Sequence, residues 1–432
     1  MLSQLRPLAA LLVAVLLLIS GSGLLGTLLA VRGNSIGMSD ATLGLVMAAY
    51  FVGFLLGTRS GPPLIRRVGH IRAFAIGAAL ATAAALGHAM TDSVWIWGGL
   101  RMLSGLALVT LYTVIESWLN ADAPPSHRGQ VFAVYMGVNM LALAIGQQLL
   151  LTAPVGGFEL FSLVALLSCL ALVPVAWTRQ PQPQLCEPRP YRVGKLWRNA
   201  PSAAAGAALS GLVMGGFWGL GPLAAARIGL EPAAIAGFMT MAIIGGAVLQ
   251  WPLGRLSDRY DRRLVLALTS LGAALLALAL LPALTQPLAR TLLVFGFGGL
   301  AFALYPIAVA HMMDRLEPSD LLGASASFLM LYGIGAAVGP ALTGQAMEAF
   351  GPGALFASSA LALLALAGFV LWRLRHRDSS VEGPVAFMPM LRTTPAVLEL
   401  VPEVEGVARG PGMTPTAVDA QRPSADPDCR SP

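Results

Sequence analysis

The chain is 432 residues long, 56% hydrophobic and only 11% charged, with a formal net charge of +6 and a mean hydropathy of +0.73. Water-soluble domains carry about 25% charged residues, so this composition excludes an ordinary soluble enzyme or binding domain and points to a chain dissolved in lipid. Three cysteines, Cys169, Cys186 and Cys429, give no disulfide framework, and the scattered histidines form no metal-ligand spacing.

Apolar runs of about 20 residues, at ~1.5 Å rise each, are long enough to cross a ~30 Å hydrocarbon layer. In chain order the predicted spans are Pro7–Ala30, Thr42–Thr58, Ala73–Met90, Val94–Leu119, Gln130–Thr152 and Phe158–Thr178, then Ser202–Ala226, Ala233–Leu253, Leu264–Leu284, Leu288–Met313, Gly323–Met347 and Gly353–Trp372. Arg6 precedes the first run as in a secretory leader, but the run outlasts the ~7–15 apolar residues of such leaders and is read as a span. The fold class expected is an all-α integral membrane protein of twelve helices.

Basic residues in short loops stay on the cytoplasmic side. With the N-terminus inside, the outer loops hold Arg32, Arg227 and Arg290, while Arg59, Arg66, Arg67, Arg72, Arg128, Arg255, Arg259, Arg262, Arg263 and Arg315 fall inside. Both termini are therefore expected in the cytoplasm, in a bacterial inner membrane. The net positive charge is this topological bias and implies no nucleic-acid partner.

The chain also repeats itself. A shift of 193 residues pairs Gly23 with Gly216, Gly53 with Gly246, Gly61 with Gly254, Gly105 with Gly298 and Gly146 with Gly339, and brings Leu111-Tyr112 onto Leu304-Tyr305. Six helices per repeat make the halves parallel, related by an axis along the membrane normal, with a cavity at the seam near the midplane. The expected organisation is a six-helix bundle over 1–178, an extended Pro-rich basic linker over 179–200, a second bundle over 201–374, and a disordered tail over 375–432. Within that tail "VLELVPEVE" is read as solvated, with docking on a partner as the alternative.

Two basic stretches stand at equivalent places, "GPPLIRRVGH" (61–70) and "GRLSDRYDRR" (254–263). Together with "RMLSGLA" in the fourth span and "GAAVGPALTG" in the eleventh, they resemble the major facilitator superfamily over about Pro7 to Trp372. The family loop reads Gly, three residues, Asp-Arg, one residue, Gly-Arg-Arg. The second copy keeps Gly254, Asp258, Arg259, Arg262 and Arg263; the first keeps Gly61, Arg66 and Gly69 but has Ile65 in place of the Asp. "LYTVIESWLNA" and "QWPLGRLSDRYDRR" are similar to the bacterial YcaD-type permeases within that family. The Gly-Pro motif resembles one that antiporters carry in the fifth span, where this chain has "AIGQQ" instead.

The resemblance implies a secondary transporter working by alternating access, exporting or exchanging a small organic solute. A transport-inactive sensor or scaffold on the same fold is the alternative, and no nucleophile, base and metal arrangement suggests an enzyme. The expected partners are a small-molecule substrate and the bilayer, without a cofactor, and the chain is expected to act as a monomer.

Arg101 is a charge deep within a span, expected either to bind an anionic group or assist proton transfer, or else to satisfy neighbouring carbonyls. Glu116, fifteen residues and ~22 Å further along the same helix, is the proton-coupling candidate. Its other reading is a static charge relay with Arg66, Arg67, Arg72 or Arg128. Tyr50, Tyr112, Asn139, Trp218, Tyr305 and Tyr332 lie near the midplane and suit an amphipathic organic molecule, with Tyr112 and Tyr305 equivalent in the repeat. Gln147 and Gln148 are read either as substrate ligands or as interhelical hydrogen bonds.

The family fold implies a gate at the inner face. Asp258 is expected to meet the start of the fifth helix around Arg128 across the seam. Arg66 and its neighbours are expected to meet "MMDRLEPSDLLG", with Asp314, Glu317 and Asp320. On this view an acid at position 65 is absent because it would face those acids.

Overall fold

The computed structural model describes residues 8–122, 128–177, 191–317, 320–376 and Met390. Twelve helices among them are long and apolar enough to cross a membrane: α1 (Ala9–Ser35), α2 (Asp40–Val68), α3 (His70–Ala89), α4 (Val94–Ala121), α5 (Gly129–Thr152), α6 (Glu159–Trp177), α7 (Pro201–Arg227), α8 (Pro232–Arg259), α9 (Arg262–Ala283), α10 (Pro287–Met313), α11 (Leu321–Phe350) and α12 (Ala354–His376). Successive helices run up and down, so Val68, Arg259, Met313 and His376 end on one face, called here the terminal face. Ser35, Asp40, Arg227 and Phe350 lie at the far face.

Starts and stops follow local chemistry. Ser39 caps α2 by accepting from the Thr42 amide at 3.3 Å, the Asp261 side chain caps α9 at the Arg263 amide, and Pro opens α7, α8 and α10 where its missing N–H is not needed. Gly69, at φ +84°, is the single residue joining α2 to α3, a left-handed turn that a side chain would strain.

The internal repeat is built into the packing. A Cβ on Gly105 would overlap the Tyr50 carbonyl oxygen, and one on the equivalent Gly298 would overlap that of Ala242. In the same way Gly146 lies against Ser20 and its counterpart Gly339 against Leu212. Helices α4 and α2 therefore cross as α10 and α8 do, and α5 and α1 as α11 and α7 do, each crossing relying on a glycine that allows backbones to touch. The result is two parallel six-helix halves.

Three expectations change. The stretches at 61–70 and 254–263 are not loops: Gly61–Val68 are the last turns of α2 and Gly254–Arg259 the last turns of α8, leaving Gly69 and Tyr260-Asp261 as the joints. At 29 residues α2 is ~43 Å long, so its charged turns clear a ~30 Å core while staying helical. The linker is not wholly extended, because Val193–Asn199 is helical and its Lys195 bonds Asp320 at 2.7 Å. That contact raises the Lys195 ammonium above its usual range. The tail is also not uniformly solvated, since Met390 is 4% exposed; "VLELVPEVE" lies outside the described residues.

Candidate functional site

A cleft of ≈ 1000 Å³, its open mouth included, runs between the halves. Ser22, Gly23 and Thr27 of α1, Tyr50 of α2, Arg101 and Tyr112 of α4 line one side. Trp218 of α7, Phe302 and Tyr305 of α10 and Tyr332 of α11 line the other. Arg101, Tyr50, Tyr112, Trp218, Tyr305 and Tyr332, all picked out from sequence, thus meet in one cavity. Asn139 does not: it is buried behind the wall, where its Nδ2 donates to the Tyr135 carbonyl one turn back at 2.8 Å.

The geometry follows from small residues. Because Gly105 lets α4 touch α2 at Tyr50, Arg101 one turn earlier is carried over the Tyr50 ring, Cζ to centroid 4.7 Å. A cation over an aromatic face is attracted by the ring quadrupole, the more so when desolvated, and Arg101 is only 7% exposed. Across the cavity Trp218 stacks on Phe302 with centroids 5.5 Å apart, and Tyr305 meets Tyr332 edge-on at 4.9 Å. Arg101 is the one charged side chain among the described residues lining this cavity. The surface offered to a solute is aromatic, with hydroxyl handles and a single positive site.

Glu116 is fully buried and accepts a hydrogen bond from the Tyr135 hydroxyl at 2.9 Å, tying α4 to α5. It is not part of the cavity lining. Gln147 accepts from Thr27 at 2.6 Å, and Gln148 donates to Thr240 at 2.7 Å, so both make interhelical bonds.

At the far face the halves are fastened together. Arg227 of α7 pairs with Asp40 of α2 at 2.7 Å and donates to the Met38 carbonyl at 3.0 Å. Glu348 of α11 accepts the Ala41 amide at 2.8 Å. Beneath them Gly44 and Gly344 put α2 and α11 in backbone contact, and the Gln148–Thr240 bond joins α5 to α8. No reading of the sequence singled out this cluster. The signal available was an acid just after a Ser cap, with a base and an acid at two other far-face helix ends.

The contacts described at the terminal face lie within one half or run to the linker, while the contact expected between Asp258 and Arg128 involves a side chain outside the described residues. Arg262 reaches Asp314 at 3.0 Å and Asp258 at 3.2 Å, both within its own half. Asp320 goes to Lys195. Arg263 holds Asp261 at 2.8 Å; burial opposes ionisation there, yet the Arg263 side chain and amide keep the Asp261 carboxyl below its usual range. Ile65 is 1% exposed, so an Asp there would be a buried charge. Gly61 and Gly254 are buried under their own halves, Arg66 and Arg259 are exposed, and the Arg128 side chain lies outside the described residues.

Two parallel six-helix halves, fastened at one face around a seam cavity, define a multi-pass membrane transporter of the paired-repeat kind. The chain belongs to the Major Facilitator Superfamily, whose model matches residues 11–204 and again residues 203–402. An uncharacterized MFS-type transporter of Yersinia pestis (strain Pestoides F) is 30% identical over 353 residues, 81% of this chain and 91% of the relative. The uncharacterized MFS-type transporter YcaD of Escherichia coli O6:K15:H31 is 29% identical over the same shares. Among solved structures, a mutant of the nucleoside transporter NupG shares the fold with a TM-score of 0.72 at 14% identity, covering 85% of this chain and 99% of that one. A bacterial homolog of the lysosomal transporter Spinster, inward-facing and occupied, follows with a TM-score of 0.67 at 16% identity, covering 85% and 96%.

Proposed function

We propose that the protein carries an amphipathic organic anion across a bacterial inner membrane by alternating access, by export or exchange, with the terminal face in the cytoplasm. One observation carries the substrate class: Arg101 is the single charge among the described residues of an otherwise aromatic cavity. A buried cation favours a solute that brings the opposite charge, and the rings favour one with an apolar body. The orientation is supported by the excess of Arg on the terminal face.

In this reading the far-face cluster of Asp40, Arg227 and Glu348 holds the outer side shut while the cavity faces the cytoplasm. Substrate binding shifts the balance towards the state in which that cluster parts. Glu116 acts as a strut between α4 and α5, and the charge moved is that of the solute. The test is counterflow by purified protein in proteoliposomes, with a panel of aromatic carboxylates and their neutral amides, with and without a pH gradient. Saturable transport of the carboxylates alone supports the reading, while equal transport of the amides sinks the anion assignment.

A further inference from the structure

One residue beyond α12, Met390, is among the described residues, and it lines the cavity. Met390 is 4% exposed and lines the same cleft as Arg101, Tyr305 and Trp218. We infer that the tail around Met390 is a built-in ligand of the transport cavity, a peptide segment that occupies the solute's place and slows transport until it is displaced.

Three further observations point the same way. First, α12 ends at His376 on the terminal face, fourteen residues before Met390. The far face is the one closed by the cluster of Asp40, Arg227 and Glu348, so the terminal face, where α12 ends, is the side of entry that this inference requires. Second, the spacing in sequence is of the right size: fourteen residues of any chain span ~20 Å end to end as a random coil, close to the ~15 Å from the bilayer surface to its middle. A tether matched to its span gives an effective concentration on the order of millimolar, enough for a weakly binding segment to compete. Third, Val385 to Leu391 read "VAFMPML", an apolar run in a tail otherwise rich in Pro and polar residues. The unbranched thioether of Met adapts to irregular aromatic walls, which is the surface this cavity offers.

The competition with solute rests on the cavity being the transport site; the presence of the tail in it does not, and the experiment separates the two. In a background with Cys169, Cys186 and Cys429 changed to Ser, the pair Met390→Cys and Leu108→Cys, the latter on the cavity wall, is treated with a short bismaleimide. Intramolecular crosslinking in the double variant, and in neither single variant, is expected; its absence overturns the inference. In parallel, a chain ending at residue 380 and the full chain with Met390→Glu are compared with the parent in proteoliposomes. Both should transport at least threefold faster at subsaturating solute, and a synthetic peptide of residues 384–394 should return the shortened chain to the parent rate. Crosslinking with no rate change in either variant overturns the inhibitory role. Should none of the proteins transport, the function proposed above fails, while crosslinking still decides whether the tail sits in the cavity.

Discussion

Replacing Arg227 by Gln should open the far face. Arg227 gives Asp40 two short contacts, at 2.7 and 2.8 Å, and the Met38 carbonyl one at 3.0 Å. The Asp40 side chain is 9% exposed and that of Arg227 35%. Hydrogen bonds to charged groups contribute about 1.5–3 kcal/mol when buried and exposed ion pairs about 0.2–1 kcal/mol. With one partner buried and the other a third exposed, the loss lies near 1.5 kcal/mol, about a tenfold gain in the far-face-open population. The Glu348 bond to the Ala41 amide remains in the variant, which keeps the shift from being larger. The open population is read linearly by the rate at which Ser22→Cys, on the cavity wall, reacts with a membrane-impermeant maleimide supplied at the far face, with Cys169 changed to Ser. The labelling rate should rise about tenfold in Arg227→Gln, and less at high salt because half of the pair is screened. An unchanged rate would refute the claim that this cluster holds the far face shut.

Gly344→Ala should act in the same direction, because its Cβ would come within 2.5 Å of the Asp40 carbonyl oxygen and 3.0 Å of the Gly44 Cα. Overpacking of this kind costs about 1–3 kcal/mol, here only in the closed state, so labelling accelerates with little change in Tm. Gly105→Ala makes a useful contrast: the clash with Tyr50 lies within one half, so Tm falls while labelling stays put. Glu116→Gln keeps an acceptor for the Tyr135 hydroxyl and should leave transport, with or without a pH gradient, within about twofold of the parent; loss of gradient dependence would return Glu116 to proton coupling. Asp261→Asn tests an ion pair at the terminal face. Because the Asp261 carboxyl is held below its usual range in the folded protein, its stabilising effect is present above the unfolded value of about 3.9 and disappears as pH falls through the folded value. The variant should therefore melt below the parent at pH 7, and the gap should begin to close only once the pH drops below about 4.

What was legible in the sequence was set by strong local signals. Twelve apolar runs reappear as twelve spans, because length and hydropathy decide membrane crossing without tertiary detail. The pairing of Gly105 with Gly298 and of Gly146 with Gly339 exposed the repeat, since close helix crossings tolerate no side chain. Most of the cavity aromatics and Arg101 were also visible, as polar tips and a charge at mid-span depth have few other uses. Asn139 went astray because depth along a helix says nothing of which side it faces: in α5 it faces back into its own turn. The pairing of Arg262 with Asp314 and Asp258 inside one half was not read from sequence for a similar reason. The far-face cluster joins residues 187 and 307 positions apart, and Met390 lies beyond the last span. Neither contact leaves a periodic trace in the chain.

The account stands or falls on Arg101 as the site that recognises a solute's negative charge. The direct measurement is initial-rate uptake of an amphipathic aromatic carboxylate into proteoliposomes by the parent and by Arg101→Gln, beside the neutral amide of the same compound. Losing a buried charge-assisted contact of about 1.5–3 kcal/mol predicts a ~10- to 100-fold fall in rate at subsaturating carboxylate for the variant, with the amide carried poorly by the parent. Equal rates for parent and variant, or an amide carried as fast as the carboxylate, would contradict it.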